Sequence, residues 1–246
     1  MTMEQKIEKT VEWIRETVTN AGCKGVVVGL SGGIDSAVVG FLIKKAFPND
    51  SMGVILPCKS HSVDREYALE LAQAADLDFI EINLTESHDA LLSGIVSALA
   101  HRKDETNLRI ADANLRARMR MSTLYAVANN RNYLVSGTDN AAEVYTGYFT
   151  KYGDGGVDFL PISNLPKREV YEWGRYFGVP ASILERAPTA GLWDGQTDEG
   201  EMGTTYNMID DLLEGKEIPE RDRQIIERLH TRSEHKRTMP PAPPKY

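Results

Sequence analysis

A glycine-rich loop with an acid between two serines directly follows an apolar run. Residues 31–36 read SGGIDS, and they come after residues 25–29, GVVVG. Paired glycines let the backbone turn tightly and approach a ligand closely, and a helix that starts there offers unpaired N–H groups at the positive end of its dipole. A lone Gly-Gly pair is also typical of an ordinary strand-to-helix turn with a serine cap. The acid and the two flanking serines favour a phosphate site.

The loop differs from the common Walker loop, which requires a lysine directly after its glycines. The first lysine after this loop is Lys44. Asp35 instead places a carboxylate in an anion-binding loop, which is unfavourable unless a divalent cation bridges it to the phosphates. The loop therefore predicts Mg²⁺ together with a polyphosphate.

A second polar block follows another apolar run. Residues 136–143 read SGTDNAAE and come after 132–136, NYLVS; residues 147–158, GYFTKYGDGGVD, follow soon after. A cluster of glycines and acids is by itself more often a surface loop. When two such blocks follow two strands of one parallel sheet, however, they lie at the same edge of that sheet, where ligands bind.

Alternating strand and helix patterns predict the scaffold. The predicted strands are 25–29, 51–56, 78–82 and 132–136, mostly too apolar to have one face in water; helical patterns cover 36–47, 63–75, 85–130, 166–177 and 220–229. Buried strands separated by helices indicate an α/β fold with a doubly wound, mostly parallel sheet flanked by helices. Residues 190–204, rich in Gly, Asp and Thr, are predicted to be a loop and a candidate lid.

Composition excludes several classes of protein. The 246 residues are 41% hydrophobic and 26% charged, with a net charge of −8, so a general nucleic-acid binder is not expected. No apolar run reaches the roughly 18 residues that span a bilayer, and the two cysteines form no motif. We expect a cytoplasmic protein without a membrane anchor, folded as a single domain over 1–246 with a mobile Pro-rich tail from about 238 to 246.

The two polar blocks carry a family resemblance. Residues 31–36 resemble the pyrophosphate-binding loop of the ATP pyrophosphatases, an adenine nucleotide alpha-hydrolase-like, Rossmann-like superfamily. Together with 136–143, 147–158 and the pair His235-Lys236, the chain resembles the ammonia-dependent NAD synthetases over essentially its whole length. The resemblance implies ATP-dependent amidation of deamido-NAD with ammonia, through an adenylated nicotinate carboxylate, with release of AMP and pyrophosphate.

The resemblance also implies roles for individual residues. Asp35, Glu143 and Lys167 are the implied catalytic residues, and Asp35 and Glu143 the implied Mg²⁺ ligands. The implied ATP-binding residues are Gly29, Leu30, Ser31, Gly32, Gly33, Ile34, Asp35, Ser36, Thr138, Lys167 and Thr189. The implied deamido-NAD-binding residues are Arg118, Lys151, Asp158, His235 and Lys236. The family's partners are its small-molecule substrates and a second copy of the chain in a homodimer.

Alternatives remain at this point. Glu143 and Lys167 also suit a solvated helix start, Arg116, Arg118 and Arg120 suit a surface, and Cys58 suits a packed or exposed thiol better than a nucleophile. Gly191 stands where bacterial relatives often have an aspartate. The same loop occurs in other members of the superfamily, such as tRNA-thiolating enzymes, and a non-catalytic nucleotide-binding protein on this scaffold is a further alternative. Free ammonia is the expected nitrogen source, with a separate partner amidase left open.

Overall fold

The computed structural model describes residues 1–102, 104–189 and 197–245. Within them, four strands form one parallel sheet in the order β3-β2-β1-β4. They are β1 Gly25–Gly29, β2 Ser51–Ile55, β3 Asp78–Glu81 and β4 Tyr133–Ser136. Because β4 joins β1 on the side opposite β2, the winding direction reverses between β1 and β4. The loops that follow these two strands diverge and leave a crevice at the carboxyl edge of the sheet.

Helices account for most of the remaining described chain. They are α1 Met3–Asn20, α2 Ile34–Ala46, α3 Ser62–Ala74, α4 Thr85–Leu99, α5 Glu105–Arg131, α6 Ala141–Thr146, α7 Lys167–Phe177, α8 Ala181–Leu184, α9 Asp198–Met202, α10 Tyr206–Leu213, α11 Glu220–Arg232 and α12 Glu234–Arg237. A single 3₁₀ turn, Ala100–Arg102, separates α4 from α5. None of the described helices is both long and apolar enough to cross a bilayer.

The apolar strand β1 is buried on both faces, as predicted. Val26 and Val28 pack with buried residues of α1 and α2, whereas Val27 packs on the other face with Ala128 of α5. Side chains alternate between the two faces of a strand, so a run of three valines needs cover on both sides. The expected doubly wound α/β architecture is confirmed.

A third apolar cluster lies beyond the sheet and brings the C-terminal helices together. It contains Ala142, Met202, Tyr206, Ile209 and Ile226, contributed by α6, α9, α10 and α11. In this cluster, which we call the C-terminal cluster, α10 and α11 pack against α6, and α10 also packs against α7.

Three expectations about elements were wrong or incomplete. The edge strand β3 is not buried, and Ile80 is about a third exposed because β3 has a neighbour on one side only. The helical pattern of 85–130 is broken at Ala100, where the backbone turns to positive φ. In the expected loop 190–204, residues 190–196, including Gly191, lie outside the described residues, and Asp198–Met202 is a helix.

Helix α9 is stabilised both by a cap at its start and by packing against distant helices. Thr197 caps it by accepting a hydrogen bond from the Gly200 N–H at 3.2 Å, and Met202 is buried in the C-terminal cluster. Neither the cap nor the packing can be predicted from a composition rich in Gly, Asp and Thr.

The Pro-rich tail has no helix or strand from 239 to 245.

Candidate active site

A cavity of about 480 Å³ opens at the carboxyl edge of the sheet, where the loops after β1, β2 and β4 meet. We call it the main cavity. It brings together eleven of the residues predicted for ATP or metal binding. They are Gly29, Leu30, Ser31, Gly33, Ile34, Asp35, Ser36, Thr138, Glu143, Lys167 and Thr189.

The glycine-rich loop is held in shape by its own serines. Ser36 Oγ donates to the Gly33 carbonyl at 2.9 Å and lies 3.1 Å from Ser31 Oγ, which in turn accepts from the Gly33 N–H at 3.3 Å. Helix α2 starts after Gly33 without a side-chain cap. The first N–H groups of any helix lack an intrahelical acceptor, and here no capping side chain accepts from them either. These N–H groups therefore suit an anion.

Gly32 is required where the loop passes helix α3. Its φ is +75°, and a Cβ there would lie 2.8 Å from the Asp64 carbonyl oxygen and 2.8 Å from Tyr67 Cβ. Both contacts are too short for a side chain, and the left-handed backbone disfavours one as well. The loop thus keeps its shape only with glycine at this position.

Gly32→Ala is expected to raise the KM for ATP on the order of 10–100-fold, because the loop must move away from the bound phosphates. The matched control is Gly178→Ala at the end of α7, where φ is +76° but nothing lies within 4 Å of the added Cβ. Both variants carry the left-handed penalty of about 1–2 kcal/mol in unfolding free energy. Initial rates at varied ATP decide the matter, and equal KM changes in the two variants would contradict this account of the loop.

Asp35 and Glu143, which are 108 positions apart in the chain, meet at one lysine. Lys167 Nζ donates to Asp35 Oδ2 at 2.6 Å and to Glu143 Oε1 at 3.3 Å. The Lys167 side chain is only 4% exposed, and both carboxylates are largely buried. A buried cation therefore lies between the two acids, beside the glycine-rich loop.

Asn140 couples the two acids through its side chain and backbone. Its Nδ2 donates to Asp35 Oδ1 at 2.9 Å, while its Oδ1 caps α6 and its N–H donates to Glu143 Oε2 at 3.0 Å. This arrangement is a capping box, in which the cap residue and the residue three positions later satisfy each other. The capping box fixes the orientation of the Glu143 carboxylate as well as its position.

Lys167 begins α7, where the helix dipole disfavours a cation. Asp210 of α10 offsets this by accepting from the N–H groups of Lys167 and Arg168, both at 3.0 Å. Asp35 and Glu143 provide the remaining negative charge. The alternative in which Lys167 and Glu143 are solvated is thus wrong.

The pKa values of Lys167 and Glu143 depend on burial and on the charges beside them. Burial opposes the charge of Lys167, but Asp35 and Glu143 outweigh it and raise the pKa of that lysine. Burial raises the pKa of Glu143 to about 7, although the neighbouring lysine acts to lower it. Glu143 is therefore fully ionised at neutral pH only when enough positive charge lies beside it.

The residues at this point fit a magnesium ion whose remaining ligands come from a nucleotide. Asp35 and Glu143 converge on one point with hard carboxylate oxygens, the donors that Mg²⁺ prefers. The described chain contains no group of three or more His, Cys, Asp or Glu side chains arranged to hold a metal. Mg²⁺ commonly binds through one or two carboxylates plus substrate phosphates, which matches a pair of acids beside a phosphate-type loop.

Four of the five residues implied for deamido-NAD form a connected group outside the glycine-rich loop. Arg118 donates to the Lys151 carbonyl at 3.3 Å, and Lys151 Nζ donates to the His235 carbonyl. Lys236 Nζ donates to the carbonyls of Gly147 and Phe149 at 2.7 and 2.6 Å. Only Lys236 of this group lines the main cavity; it also lines, with His235, a second cavity of about 340 Å³.

Asp158, the fifth, makes structural contacts. Its carboxylate accepts from the Tyr125 hydroxyl at 2.9 Å and from the Val135 N–H at 2.7 Å, which joins α5 to β4. It does not line the main cavity.

The two arginines that flank Arg118 are not surface residues. Arg116 is buried and pairs with Asp112 at 2.5 Å, and Arg120 donates to the Leu56 carbonyl at 3.0 Å and to Ser60 Oγ at 3.1 Å in the loop after β2. Cys58 is fully buried in the same loop, and burial raises the pKa of its thiol. It is therefore a packed thiol and not an activated nucleophile.

Several residues of the site were missed from the sequence. Asn140 carried a readable signal, since the pattern Asn140-x-x-Glu143 before a helix is a capping box. Asp198, Tyr206 and Asp210 carried none, because they reach the site only through the packing of α9 and α10 in the C-terminal cluster.

Comparisons with known proteins identify the family of the chain. The NAD synthase family model matches residues 6–240. An NH₃-dependent NAD⁺ synthetase from Alkaliphilus oremlandii is 61% identical over 98% of this chain and 97% of its own length. Among solved structures, an NMN synthetase from Francisella tularensis has a TM-score of 0.92 at 41% identity, with 99% of each chain covered. An NH₃-dependent NAD synthetase from Campylobacter jejuni has a TM-score of 0.78 at 29% identity, covering 99% of this chain and all of the other. The glycine-rich loop, the paired acids and these similarities lead to one conclusion: the chain belongs to the NAD synthase family.

Proposed function

We propose that the main cavity is where this chain amidates deamido-NAD with ammonia at the expense of ATP, releasing NAD, AMP and pyrophosphate. The observation that carries the proposal is the convergence of Asp35 and Glu143 on one cation beside the glycine-rich loop. This charge arrangement suits ATP bound with Mg²⁺. The match to the NAD synthase family over residues 6–240 favours a NAD synthetase over the tRNA-thiolating and non-catalytic alternatives.

Adenylation solves the chemical difficulty of the reaction. A carboxylate is a poor electrophile because its leaving group would be oxide. Transfer of AMP to the nicotinate carboxylate provides a good leaving group, which ammonia then displaces to form the amide. The protein's task is to align the carboxylate with the α-phosphorus and to stabilise the departing pyrophosphate.

The residues divide this task by position. Asp35 and Glu143 are the residues that would hold Mg²⁺, and the ion would supply positive charge to stabilise the charge of the phosphates. Residues 29–36, Thr138 and Thr189 bind ATP, and Lys167, which here pairs with both acids, would be free to donate to a phosphate oxygen if a metal ion were held by Asp35 and Glu143. Arg118, Lys151, His235 and Lys236 bind the anionic dinucleotide, whereas Asp158 joins α5 to β4 through Tyr125 and Val135.

The mononucleotide is the second candidate substrate. The Francisella tularensis structure, the NMN synthetase, has the same fold with a TM-score of 0.92. Both reactions convert a nicotinate carboxylate to an amide and differ in whether the adenylyl half is present. The much higher identity of the Alkaliphilus relatives favours deamido-NAD.

The test is a complete product balance. Purified protein is incubated with ATP, Mg²⁺, ammonium and deamido-NAD, and AMP, pyrophosphate and NAD are measured together. We expect the three products in equal amounts. ADP and inorganic phosphate as the products would refute the mechanism. A parallel series with nicotinic acid mononucleotide compares kcat/KM, and glutamine in place of ammonium tests the nitrogen source.

We also propose a homodimer in which α4 contributes to the contact. Leu91, Ile95 and Leu99 follow one another at four-residue spacing on α4 and are each 41–47% exposed. Residues at this spacing lie on one face of a helix, and a contiguous exposed apolar face favours association. A second copy of the chain is the partner that the family resemblance implies.

Ile95→Asp is expected to shift the protein from dimer to monomer in sedimentation velocity runs at micromolar concentration. A charge in the middle of a buried apolar contact must be desolvated without a partner, which is strongly unfavourable. Val63→Asp on α3, at a residue with similar exposure of 37%, is the control and leaves the sedimentation coefficient unchanged. A dimer that persists in Ile95→Asp would exclude this face.

A further inference from the structure

Tyr206 touches two of the three charged groups at the centre of the site. Its hydroxyl lies 3.0 Å from Glu143 Oε1, and Lys167 Nζ lies 4.5 Å from the centre of its ring. The hydroxyl is also 2.8 Å from Asp198 Oδ2. Tyr206 was not among the residues implied by the family resemblance, and it stands on a different element from the residues it touches.

Packing, not the acids, fixes the position of this tyrosine. Tyr206 is only 4% exposed and belongs to the C-terminal cluster with Met202 and Ile209. Its N–H donates to Glu199 Oε1 at 2.9 Å, and the preceding Thr205 caps α10. The hydroxyl is therefore presented from a rigid element, as a supporting group for a metal ligand must be.

Both oxygens of Glu143 lie beside a fixed polar group, and Glu143 Oε1 shares the single proton of the Tyr206 hydroxyl with Asp198 Oδ2. The Asn140 N–H holds Oε2 at 3.0 Å, and the Tyr206 hydroxyl lies at hydrogen-bond distance from Oε1, the oxygen that also accepts from Lys167. If Lys167 left for a phosphate, Tyr206 would keep Oε1 directed toward Asp35. The ring also lies against the ammonium group by a cation–π contact, which favours a cation at this place.

We propose that Tyr206 is a positioning residue for the magnesium site, with its hydroxyl orienting Glu143 and its ring supporting Lys167. This inference rests on the proposed roles of Asp35 and Glu143 as metal ligands. Groups that orient a metal ligand commonly change metal affinity by about 10–100-fold when removed, with no direct contact to the metal. Tyr206 is expected to act on metal binding in this way and not on deamido-NAD.

The experiment measures metal binding directly. Mn²⁺ is titrated by electron paramagnetic resonance into the full-length protein saturated with a non-hydrolysable ATP analogue. Tyr206→Phe, which keeps the packed ring and loses only the hydroxyl, is expected to weaken Mn²⁺ binding about tenfold. The Mg²⁺ concentration for half-maximal activity rises by a similar factor, whereas the KM for deamido-NAD does not change.

Tyr133→Phe is the matched control. Tyr133 is also buried, and its hydroxyl donates to a carboxylate, Asp50 Oδ1, at 3.1 Å, but it lies at the amino end of β4 away from the main cavity. Its loss changes thermal stability without changing Mn²⁺ binding. Tyr206→Leu, which removes the ring as well, is expected to bind Mn²⁺ no better than Tyr206→Phe.

Asp35→Asn separates the two proposals. If Asp35→Asn abolishes Mn²⁺ binding and Tyr206→Phe binds Mn²⁺ as the wild type does, Tyr206 is not a positioning residue and the metal site stands. If Mn²⁺ binding survives in Asp35→Asn, the metal site is wrong and the role of Tyr206 falls with it. Equal weakening in Tyr206→Phe and Tyr133→Phe also overturns the proposal, because a general loss of stability would then explain both.

Discussion

Replacing Asp35 with asparagine is expected to lower kcat by about 10²–10³-fold, the usual scale for losing one preorganised electrostatic contact. The amide keeps the size of the side chain and can still face Asn140, but it loses the charge that holds a cation against the phosphates. Lys167 then has one carboxylate partner instead of two. The measurement is single-turnover formation of AMP from ATP and deamido-NAD, with Mg²⁺ varied.

Asp50→Asn is the control for this change. Asp50 is also a carboxylate that accepts a hydrogen bond from a buried residue, the Tyr133 hydroxyl, but it does not line the main cavity. Its kcat is expected to stay within about twofold of wild type. An Asp35→Asn enzyme with unchanged kcat and unchanged Mg²⁺ dependence would remove Asp35 from the reaction.

Lys167→Met is expected to reduce both activity and stability, and Mg²⁺ should restore only the stability. Removing one partner of a buried ion pair leaves buried charge uncompensated, which costs about 3–5 kcal/mol in unfolding free energy. The methionine cannot stabilise a phosphate oxygen, so kcat falls by about 10²–10³-fold. A divalent cation, however, can occupy the place between Asp35 and Glu143. The Tm of Lys167→Met is therefore expected to rise more on addition of Mg²⁺ than the Tm of the wild type.

Lys6→Met gives the comparison, because Lys6 of α1 forms an exposed ion pair with the same helix, α7. Lys6 pairs with Glu169 of α7 at 2.8 Å, but its side chain is 40% exposed. Surface pairs of this kind contribute about 0–1 kcal/mol, so its Tm should change little and should not respond to Mg²⁺. If Mg²⁺ stabilises Lys167→Met no more than Lys6→Met, the cation does not bind between the two acids.

Local sequence patterns were sufficient to predict structural features that depend on one element or on the order of elements in a parallel sheet. The run Val26–Val28 predicted a strand covered on both faces because alternate valines must each be buried. The paired glycines of 31–36 predicted a tight turn, and Gly32 has a left-handed backbone there; phosphate binding by this loop stays a prediction. The meeting of Asp35 with Glu143 followed from the parallel sheet, since loops after neighbouring parallel strands lie at one edge.

Patterns failed where a contact depends on how distant helices pack. Asp210 caps α7 from a position 43 residues beyond Lys167, and Tyr206 reaches Glu143 from 63 residues away. Neither position has a local signal, because both look like ordinary residues of an amphipathic helix. The exposure of β3 was missed for a related reason: the amino acids of a strand do not reveal whether it has one neighbour or two.

The most direct test of the central claim is a crystal structure with Mn²⁺ and a non-hydrolysable ATP analogue, read by the anomalous signal of the metal. We expect an anomalous peak between Asp35 and Glu143, with the metal ion also bound to phosphate oxygens. Lys167 Nζ is then expected to have shifted from the two acids to a phosphate. Phosphates bound away from the 31–36 loop, with Lys167 still between the acids and no metal there, would contradict it.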